Sequence, residues 1–394
     1  MKILYINSLY APYIGGGAEI MLKSLVEGMQ RRGHEVAVLT TGAEPGLQKD
    51  EIDGVRIWRA GIKNLYWQHS ASRPNPMVRL LWHWNDRYNS SMRGYIKEII
   101  RLEKPDLVNC HNLAGWSIAA WDEIKELTLP IVQTLHDYYL LCLRSTMFND
   151  GKICEDQCVL CEQLRRSHSS KSSSVDYVVG VSSYVLERIC DEGYFEQSKK
   201  AVIYNACNIP KSNNNERNKL LPIRFGYIGT LSESKGLEWL IRQYQKNNLQ
   251  GTLTIAGSGQ KKYEDYLKTL VNSDSIKFVG YVPSEEFYSQ IDVCIVPSLW
   301  AEPFGMVTIE ANASHLPVIT SGIGGQAEIV THEENGLIVD PSVPDTLGSA
   351  LCRIANDRDI YQYMVSHARK SVEKYLDIDG MLDAYENLYR VCVK

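Results

Sequence analysis

No stretch of the chain approaches the roughly 20 apolar residues that a transmembrane helix needs, so a membrane-spanning protein is not expected. An excess of positive charge is missing as well. The formal net charge is −5, which speaks against a general nucleic-acid binder, so no nucleic-acid partner is expected. No internal repeat of a solenoid kind is visible. Met1–Tyr10 holds one Lys and only a short apolar run, and Gly15-Gly16-Gly17 breaks the chain soon after, so no secretory signal is read there. The expected compartment is therefore the cytoplasm, where thiols stay reduced.

What is present fits two ordinary globular domains, since the chain has 394 residues with 44% hydrophobic and 23% charged side chains. Strands are expected at Lys2–Asn7, Glu35–Thr41, Leu107–Cys110, Ile131–Leu135, Tyr177–Val181 and Ala201–Tyr204. Helical spacing lies between several of them: Ala18–Arg32 (with Ile20, Leu22, Leu25, Val26 and Met29), Tyr95–Leu102 and Ser182–Asp191. Gly33 stands where a helix C-cap is wanted. Pro210–Leu221 is polar, rich in Asn and without period, which suits a linker. Alternation then restarts at Arg224–Ile228, Thr252–Ala256, Ile276–Val279, Val293–Val296, Leu316–Thr320 and Gly336–Val339. Ile360–Val393 reads as helical with an interruption near Asp377–Gly380. The expected organisation is a first domain over 1–208, a linker over 209–221, a second domain over 222–375, and a final helix over 376–394 crossing back to the first. Strands alternating with helices imply parallel, doubly wound α/β sheets, with ligands beyond the carboxyl ends of the strands.

The densest chemical signal is Trp300-Ala301-Glu302-Pro303-Phe304-Gly305-Met306-Val307-Thr308-Ile309-Glu310-Ala311, which leaves a strand and enters a helix. Pro303 suits the first turn of that helix. The amides of Gly305, Met306 and Val307 then lie at a helix start, where the dipole favours an anion such as a diphosphate. Gly305 lets a ligand approach the backbone. Glu310 sits further along and leans back toward the N-terminus. A carboxylate accepts two hydrogen bonds side by side, which matches a vicinal diol. Ribose hydroxyls suit Glu310, and sugar hydroxyls suit Glu302.

This segment resembles the Glu-x7-Glu motif of the family-four retaining glycosyltransferases, with Glu302 and Glu310 on its two acidic positions. Further pieces agree along nearly the whole chain. Gly15-Gly16-Gly17-Ala18-Glu19 resembles the family's glycine loop over the donor diphosphate, and His111 and His136-Asp137 resemble its strand-end histidines. Gly229–Gly236 resembles its diphosphate loop, Ala256–Gly259 and Val279–Val282 its later landmarks, and Gly322–Glu328 the loop after the acidic motif.

The resemblance implies a GT-B fold, an α/β architecture of two doubly wound parallel-sheet domains facing a central cleft. It implies transfer of a hexose-type sugar from a nucleotide diphosphate sugar, UDP-sugar favoured, to a glycan or lipid-linked acceptor in polysaccharide or glycoconjugate synthesis. Retention comes from front-face attack, with the leaving phosphate helping to deprotonate the acceptor. On this reading Glu302, His136 and Lys235 are catalytic. Lys235 neutralises the leaving diphosphate together with the Gly16 and Gly17 amides. The donor is further lined by His111, Thr230, Gly257, Tyr281, Val282, Phe304, Gly305, Met306, Val307 and Glu310. No cofactor or metal is expected in the chemistry.

Two departures stand out. The family usually has Arg where this chain has Thr230, and more often Gly at Ala206. A charged hydrogen bond is worth roughly 1.5–3 kcal/mol, or about one to two decades in rate or affinity. Arg144 is one candidate replacement. A nucleotide-sugar epimerase or hydrolase of the same fold, or a non-catalytic binder with a degenerate site, is the alternative. Thr230 favours the binder, and intact Lys235, Glu302 and Glu310 oppose it. A dehydrogenase is disfavoured because the glycine loop lacks Gly-x-Gly-x-x-Gly spacing.

Two segments lie outside this scheme. Cys142, Cys154, Cys158 and Cys161 form C-x11-C-x3-C-x2-C, which suits a structural zinc or, equally, plain thiols on a loop. Around Trp58–Lys104, Arg56, Arg59, Lys63, Arg73, Arg79, Arg87, Arg93, Lys97, Arg101 and Lys104 interleave with Trp67, Trp82, Trp84 and Tyr88. That mixture suits peripheral contact with anionic lipid at the inner face of a membrane, or an acceptor groove. The opposing reading is a core stripe of Leu81, Trp84, Tyr88, Met92, Tyr95 and Ile99.

Overall fold

The computed structural model describes residues 1–70, 74–210 and 222–394. The segment 211–221, most of the expected linker, and Arg73 lie outside the described residues. Contacts divide the chain into two compact units. The first holds Met1–Met147, Glu155–Asn205 and Asp379–Lys394, and the second holds Phe148–Cys154 and Ala206–Ile378.

The first unit runs β1 (Lys2–Asn7), α1 (Gly17–Arg31), β2 (Glu35–Gly42), β3 (Leu47–Ile52), β4 (Val55–Gly61), α2 (Pro76–Asp86), α3 (Arg93–Glu103), β5 (Leu107–Cys110), α4 (Ala119–Glu126) and β6 (Ile131–Leu135). Across Phe148–Asn149 (β7) and Lys152–Ile153 (β8), a small hairpin of the second unit, it continues with α5 (Val159–Arg165), α6 (His168–Lys171), β9 (Tyr177–Gly180), α7 (Ser183–Cys190) and β10 (Lys199–Val202). The eight-stranded sheet has the order β10-β9-β6-β5-β1-β2-β4-β3. Its pairs are parallel except β3 on β4. Strands β1 and β5 are short apolar runs buried on both faces, as a central parallel strand requires. β3 is exposed and charged, as an edge strand tolerates.

Sequence periodicity missed β3 and β4. Their joint at Asp53-Gly54, both at positive φ (52° and 78°), is the hairpin signal that marks them. On α1 the buried face is Met21, Leu22, Leu25, Val26 and Met29, whereas Ile20, expected on that face, is exposed. The core stripe expected from Leu81 to Ile99 holds for Met92 and Ile99, but Leu81 and Trp84 are exposed. The Ser-rich segment Ser167–Ser174 folds as α6 and a following short turn.

The second unit continues with β11 (Arg224–Ile228), α8 (Leu237–Lys246), β12 (Thr252–Ala256), α9 (Lys261–Thr269), β13 (Ile276–Gly280), α10 (Ser284–Gln290) and β14 (Val293–Val296). Then come α11 (Met306–Ala313), β15 (Val318–Thr320), β16 (Gly336–Ile338), α12 (Thr346–Asn356) and α13 (Arg358–Ser371). Its six strands are parallel in the order β13-β12-β11-β14-β15-β16. The final helix α14 (Ile378–Cys392) packs in the first unit from Asp379 on. There Tyr389 Oη donates to Asn109 Oδ1 at 2.5 Å, and a Cβ on Gly28 would meet Leu382 at 2.5 Å, so glycine lets α14 lie close to α1.

Each sheet has a point where the chain reverses its direction of growth. In the first unit it lies between β1 and β5, and in the second between β11 and β14. Loops at such points diverge and leave room for ligands. The glycine loop follows β1, His111 follows β5, Lys235 follows β11 and Glu302 follows β14.

Candidate active site

In the second unit the loop after β11 and the loop after β14 meet. Gly236 sits at φ 72°, and a Cβ there would lie 1.9 Å from the carbonyl oxygen of Pro297. Leu299 N donates to Ser234 O at 2.8 Å across the same joint. This contact carries Lys235 to Glu302, whose carboxylate lies 2.7 Å from the ammonium. Ser298 Oγ donates to the same carboxylate oxygen, and the Lys235 Nζ stands 5.4 Å from the Trp300 ring centroid. The backbone of Glu302 is fixed in turn by Gly325, whose N–H donates to its carbonyl at 2.7 Å. Gly324 beside it has φ 78°, and a Cβ would lie 2.3 Å from that carbonyl oxygen.

Helix α11 has Gly305 as its N-cap, and Ile309 N makes the first intrahelical bond to Gly305 O at 3.2 Å. The amides of Met306 and Val307 thus precede that bond, as an anion site at a helix start requires. Pro303 falls before the helix rather than in its first turn. Phe304, expected against the donor, is buried with its ring 5.5 Å from that of Tyr375. Glu310, two turns into the motif, receives the Tyr288 hydroxyl at 3.0 Å. Burial raises its carboxyl pKa, and the tyrosine hydroxyl works against that rise.

The remaining expected positions surround the strand ends. Gly257, at φ 125°, would place a Cβ 1.9 Å from Gly229 O, so glycine is required where the loops after β11 and β12 touch. Thr230 is exposed, and its carbonyl accepts from Tyr227 Oη at 2.8 Å. Tyr281 is 85% exposed and Val282 half-buried.

In the first unit, His111 Nδ1 and His136 Nε2 lie 2.8 Å apart with the rings stacked, at the carboxyl ends of the adjacent strands β5 and β6. Burial pushes His136 down to about 4 and His111 well below its ordinary range, so both rings are neutral near pH 7. Asp137 beside them is pushed up to about 7 by burial. A small pocket of about 10 Å³ opens here, lined by His111, Asn112, His136, Asp137 and Tyr139 among others. Gln133 Nε2 holds the His111 carbonyl at 2.7 Å.

At the start of α1, Gly16 N donates to Glu19 Oε2 at 2.9 Å. The Gly16 amide, expected to face a diphosphate, is thus occupied by the chain's own carboxylate, leaving that of Gly17. The capping spacing Gly16-x-x-Glu19 was the signal for this.

Three of the four cysteines, Cys142, Cys158 and Cys161, come together. Among the described residues, no group of three or more His, Cys, Asp or Glu side chains is arranged to hold a metal ion. Cys154 lies in the second unit, and Cys158 is exposed as the N-cap of α5 while the next turn carries Cys161 inward. Cys161 meets Cys158 as well as Cys142, and Cys142 and Cys161 are the stronger pair. Their hydrogen bond pushes Cys142 down to about 5 and Cys161 up.

Ser298 and Tyr288 were not singled out from the sequence. A single Ser after a strand and a single Tyr in a helix carry no signal until their carboxylate partners are placed.

Comparison with known proteins identifies the family and the fold. A model described as Glycosyltransferase Family 4 matches residues 15–209, and one described as Glycosyl transferases group 1 matches residues 208–371. An uncharacterized 42.6 kDa protein in the cps region of Klebsiella pneumoniae is 30% identical, over 84% of this chain and 87% of that one. An uncharacterized glycosyltransferase of Methanocaldococcus jannaschii is 29% identical, over 100% of this chain and 99% of that one. Among solved structures, the Anabaena protein HepE in complex with UDP and glucose superposes with a TM-score of 0.74 at 18% identity, covering 98% of this chain and 99% of that one. Sucrose-phosphate synthase from Thermosynechococcus elongatus gives 0.74 at 20% identity, covering 99% and 98%. At such identities the shared property is the fold, which is GT-B. The two family matches together span residues 15–371, and the chain belongs to glycosyltransferase family 4.

Proposed function

We propose that the chain transfers a hexose-type sugar from a nucleotide diphosphate sugar, with UDP the favoured carrier, to a glycan or lipid-linked acceptor, retaining the anomeric configuration. The observation that carries this reading is the Lys235–Glu302 pair beside the amide-bearing start of α11, with Glu310 further along the same helix. That set offers a cation for a diphosphate, amides for its oxygens and two carboxylates for diols. UDP is favoured because HepE, which shares the fold, is described with UDP and with UDP-glucose.

On this reading the bond between the anomeric carbon and the diphosphate oxygen breaks while the acceptor oxygen bonds to that carbon on the same face. The acceptor proton passes to the departing phosphate oxygen. Lys235 and the α11 amides take up the growing negative charge, so the scheme assigns no step to a metal ion. His136, neutral near pH 7, serves as a hydrogen-bonding group for sugar hydroxyls rather than as a fixed cation. The cytoplasm is the proposed compartment. Thermal shift with UDP, GDP and ADP sugars tests the reading, because a ligand bound only to the folded state raises stability by mass action. Stabilisation by UDP and UDP-sugars is expected, whereas none with any of the three would contradict it.

A further inference from the structure

Helix α2 turns an apolar stripe outward. Met77, Leu80, Leu81 and Trp84 are 74%, 43%, 52% and 57% exposed, and their i, i+3, i+4, i+7 spacing puts them on one face. Its opposite face is seated in the first unit through Trp82, whose indole N–H donates to Tyr66 O at 2.9 Å, and through Asp86. Asp86, the one carboxylate of α2, is fully buried. It accepts from Gly115 N at 2.8 Å and Tyr139 Oη at 2.7 Å. The outer face therefore carries no acid.

Cations accompany it instead. Arg87 stacks on the exposed Trp84 at 4.6 Å, and Lys63 lies 4.2 Å from the ring centre of Tyr95. From Val55 to Leu102 the sequence has nine Lys and Arg against Asp86 and Glu98; Arg56, Arg59 and Arg93 are paired with Glu103, Asp50 and Glu123, whereas Lys63 and Arg87 stack on aromatic rings. A solvent-facing stripe of four large apolar side chains is not held by the core, and such a patch marks a contact surface. At about 16 Å for 11 residues, α2 is too short to cross a bilayer of about 30 Å.

We propose that α2 is a docking surface for an anionic lipid bilayer. The helix lies in the headgroup plane, Met77, Leu80, Leu81 and Trp84 enter the acyl boundary, and Arg87 and its neighbouring cations meet lipid phosphates. Charge decides the occupant: an apolar stripe stripped of carboxylates and flanked by cations complements an anionic interface, with Trp and Arg at the level where ring and headgroup coexist. This surface is independent of the donor assignment.

Co-sedimentation of the full chain with vesicles tests it. One set is phosphatidylcholine alone, and the other contains phosphatidylglycerol. Binding is expected to the anionic set, weak or none to the neutral set, and release on raising the salt. The doubly substituted Leu81→Ser, Trp84→Ser chain should bind at least about tenfold more weakly with an unchanged unfolding temperature, since both side chains are exposed. The Arg87→Gln, Lys63→Gln chain should bind anionic vesicles more weakly and lose part of the salt dependence. Equal behaviour toward both vesicle types, or undiminished binding by the apolar variant, would overturn the proposal. So would a dimer in sedimentation equilibrium that the apolar variant dissolves, because the stripe would then be an interface with a second copy.

Discussion

The ammonium of Lys235 lies 2.7 Å from Glu302, although 67 residues separate them. Two glycine-dependent loop contacts, Gly236 on Pro297 and Gly324 on Glu302, create that proximity. The pair explains how a lysine can be fixed at the proposed donor site by the chain itself. Glu302 holds it, and Ser298 takes part of the carboxylate's remaining hydrogen-bonding capacity. Removing the cation should therefore hurt transfer more than folding. Lys235→Met is expected to lower kcat/KM for the donor by at least about a hundredfold, through loss of charge stabilisation at the leaving group. Its unfolding free energy should change by about 1 kcal/mol or less, as for a partly exposed ion pair. Steady-state kinetics with chemical denaturation reads both.

Glu310 and Tyr288 form a second linked pair. Glu310→Ala should raise the donor KM about tenfold or more while leaving kcat within a few fold, since ribose is distant from the bond that breaks. Tyr288→Phe removes the hydroxyl that opposes the rise in the Glu310 pKa. Its carboxyl should then move further up, so donor binding should weaken as pH falls at a higher pH than in the parent chain. A pH series of UDP titrations on both chains checks this.

Asp86 makes stability depend on pH. Burial raises its carboxyl from 3.8 to about 7, opposed by Arg165, the Tyr139 hydroxyl and the Gly115 amide. Between these values the folded chain keeps a proton that the unfolded chain has released. The contribution is therefore complete below about 4 and is lost as pH rises through about 7. Asp86→Asn stays neutral throughout. Its stability relative to the parent should improve from pH 4.5 to pH 8 by up to about 3 kcal/mol, measured by urea unfolding. Asp137, His111 and His136 titrate in both chains and drop out of the difference.

Gly236→Ala and Gly33→Ala separate strain from collision. Both glycines have positive φ, at 72° and 85°, but only Gly236 would drive a Cβ into backbone, while Gly33 has open space. Gly33→Ala should cost about 1 kcal/mol, and Gly236→Ala about 2 kcal/mol or more with loss of transfer as the Lys235 loop shifts. Denaturation midpoints and donor kinetics on the two variants decide it.

Much of this was legible from residues alone. The central strands β1, β5, β11 and β14 are apolar runs between turns, and burial on both faces writes them plainly. Glu302, Glu310 and Lys235 stood out because strand, glycine and helix signals surround them. What escaped is non-local or mixed in character. The exposed, charged β3 has no clear period, and only its Asp53-Gly54 turn announces it. Tyr288 and Ser298 gain meaning only when the sheet brings them to a carboxylate. Cysteine spacing marked a segment whose Cys142, Cys158 and Cys161 meet, but spacing alone does not say which thiols pair. The stripe of α2 has core-like spacing, and sequence could not tell which side of the helix the protein covers.

The central claim is that the second unit holds a nucleotide diphosphate through Lys235, the α11 amides and Glu310. Calorimetric titration of UDP into the parent chain, Lys235→Met and Glu310→Ala tests it most directly, since it needs neither the sugar nor the acceptor. The account predicts saturable binding to the parent, weakened about tenfold or more in each variant. Equal affinity in all three chains, or no binding of UDP while another nucleoside diphosphate binds all three alike, would contradict it.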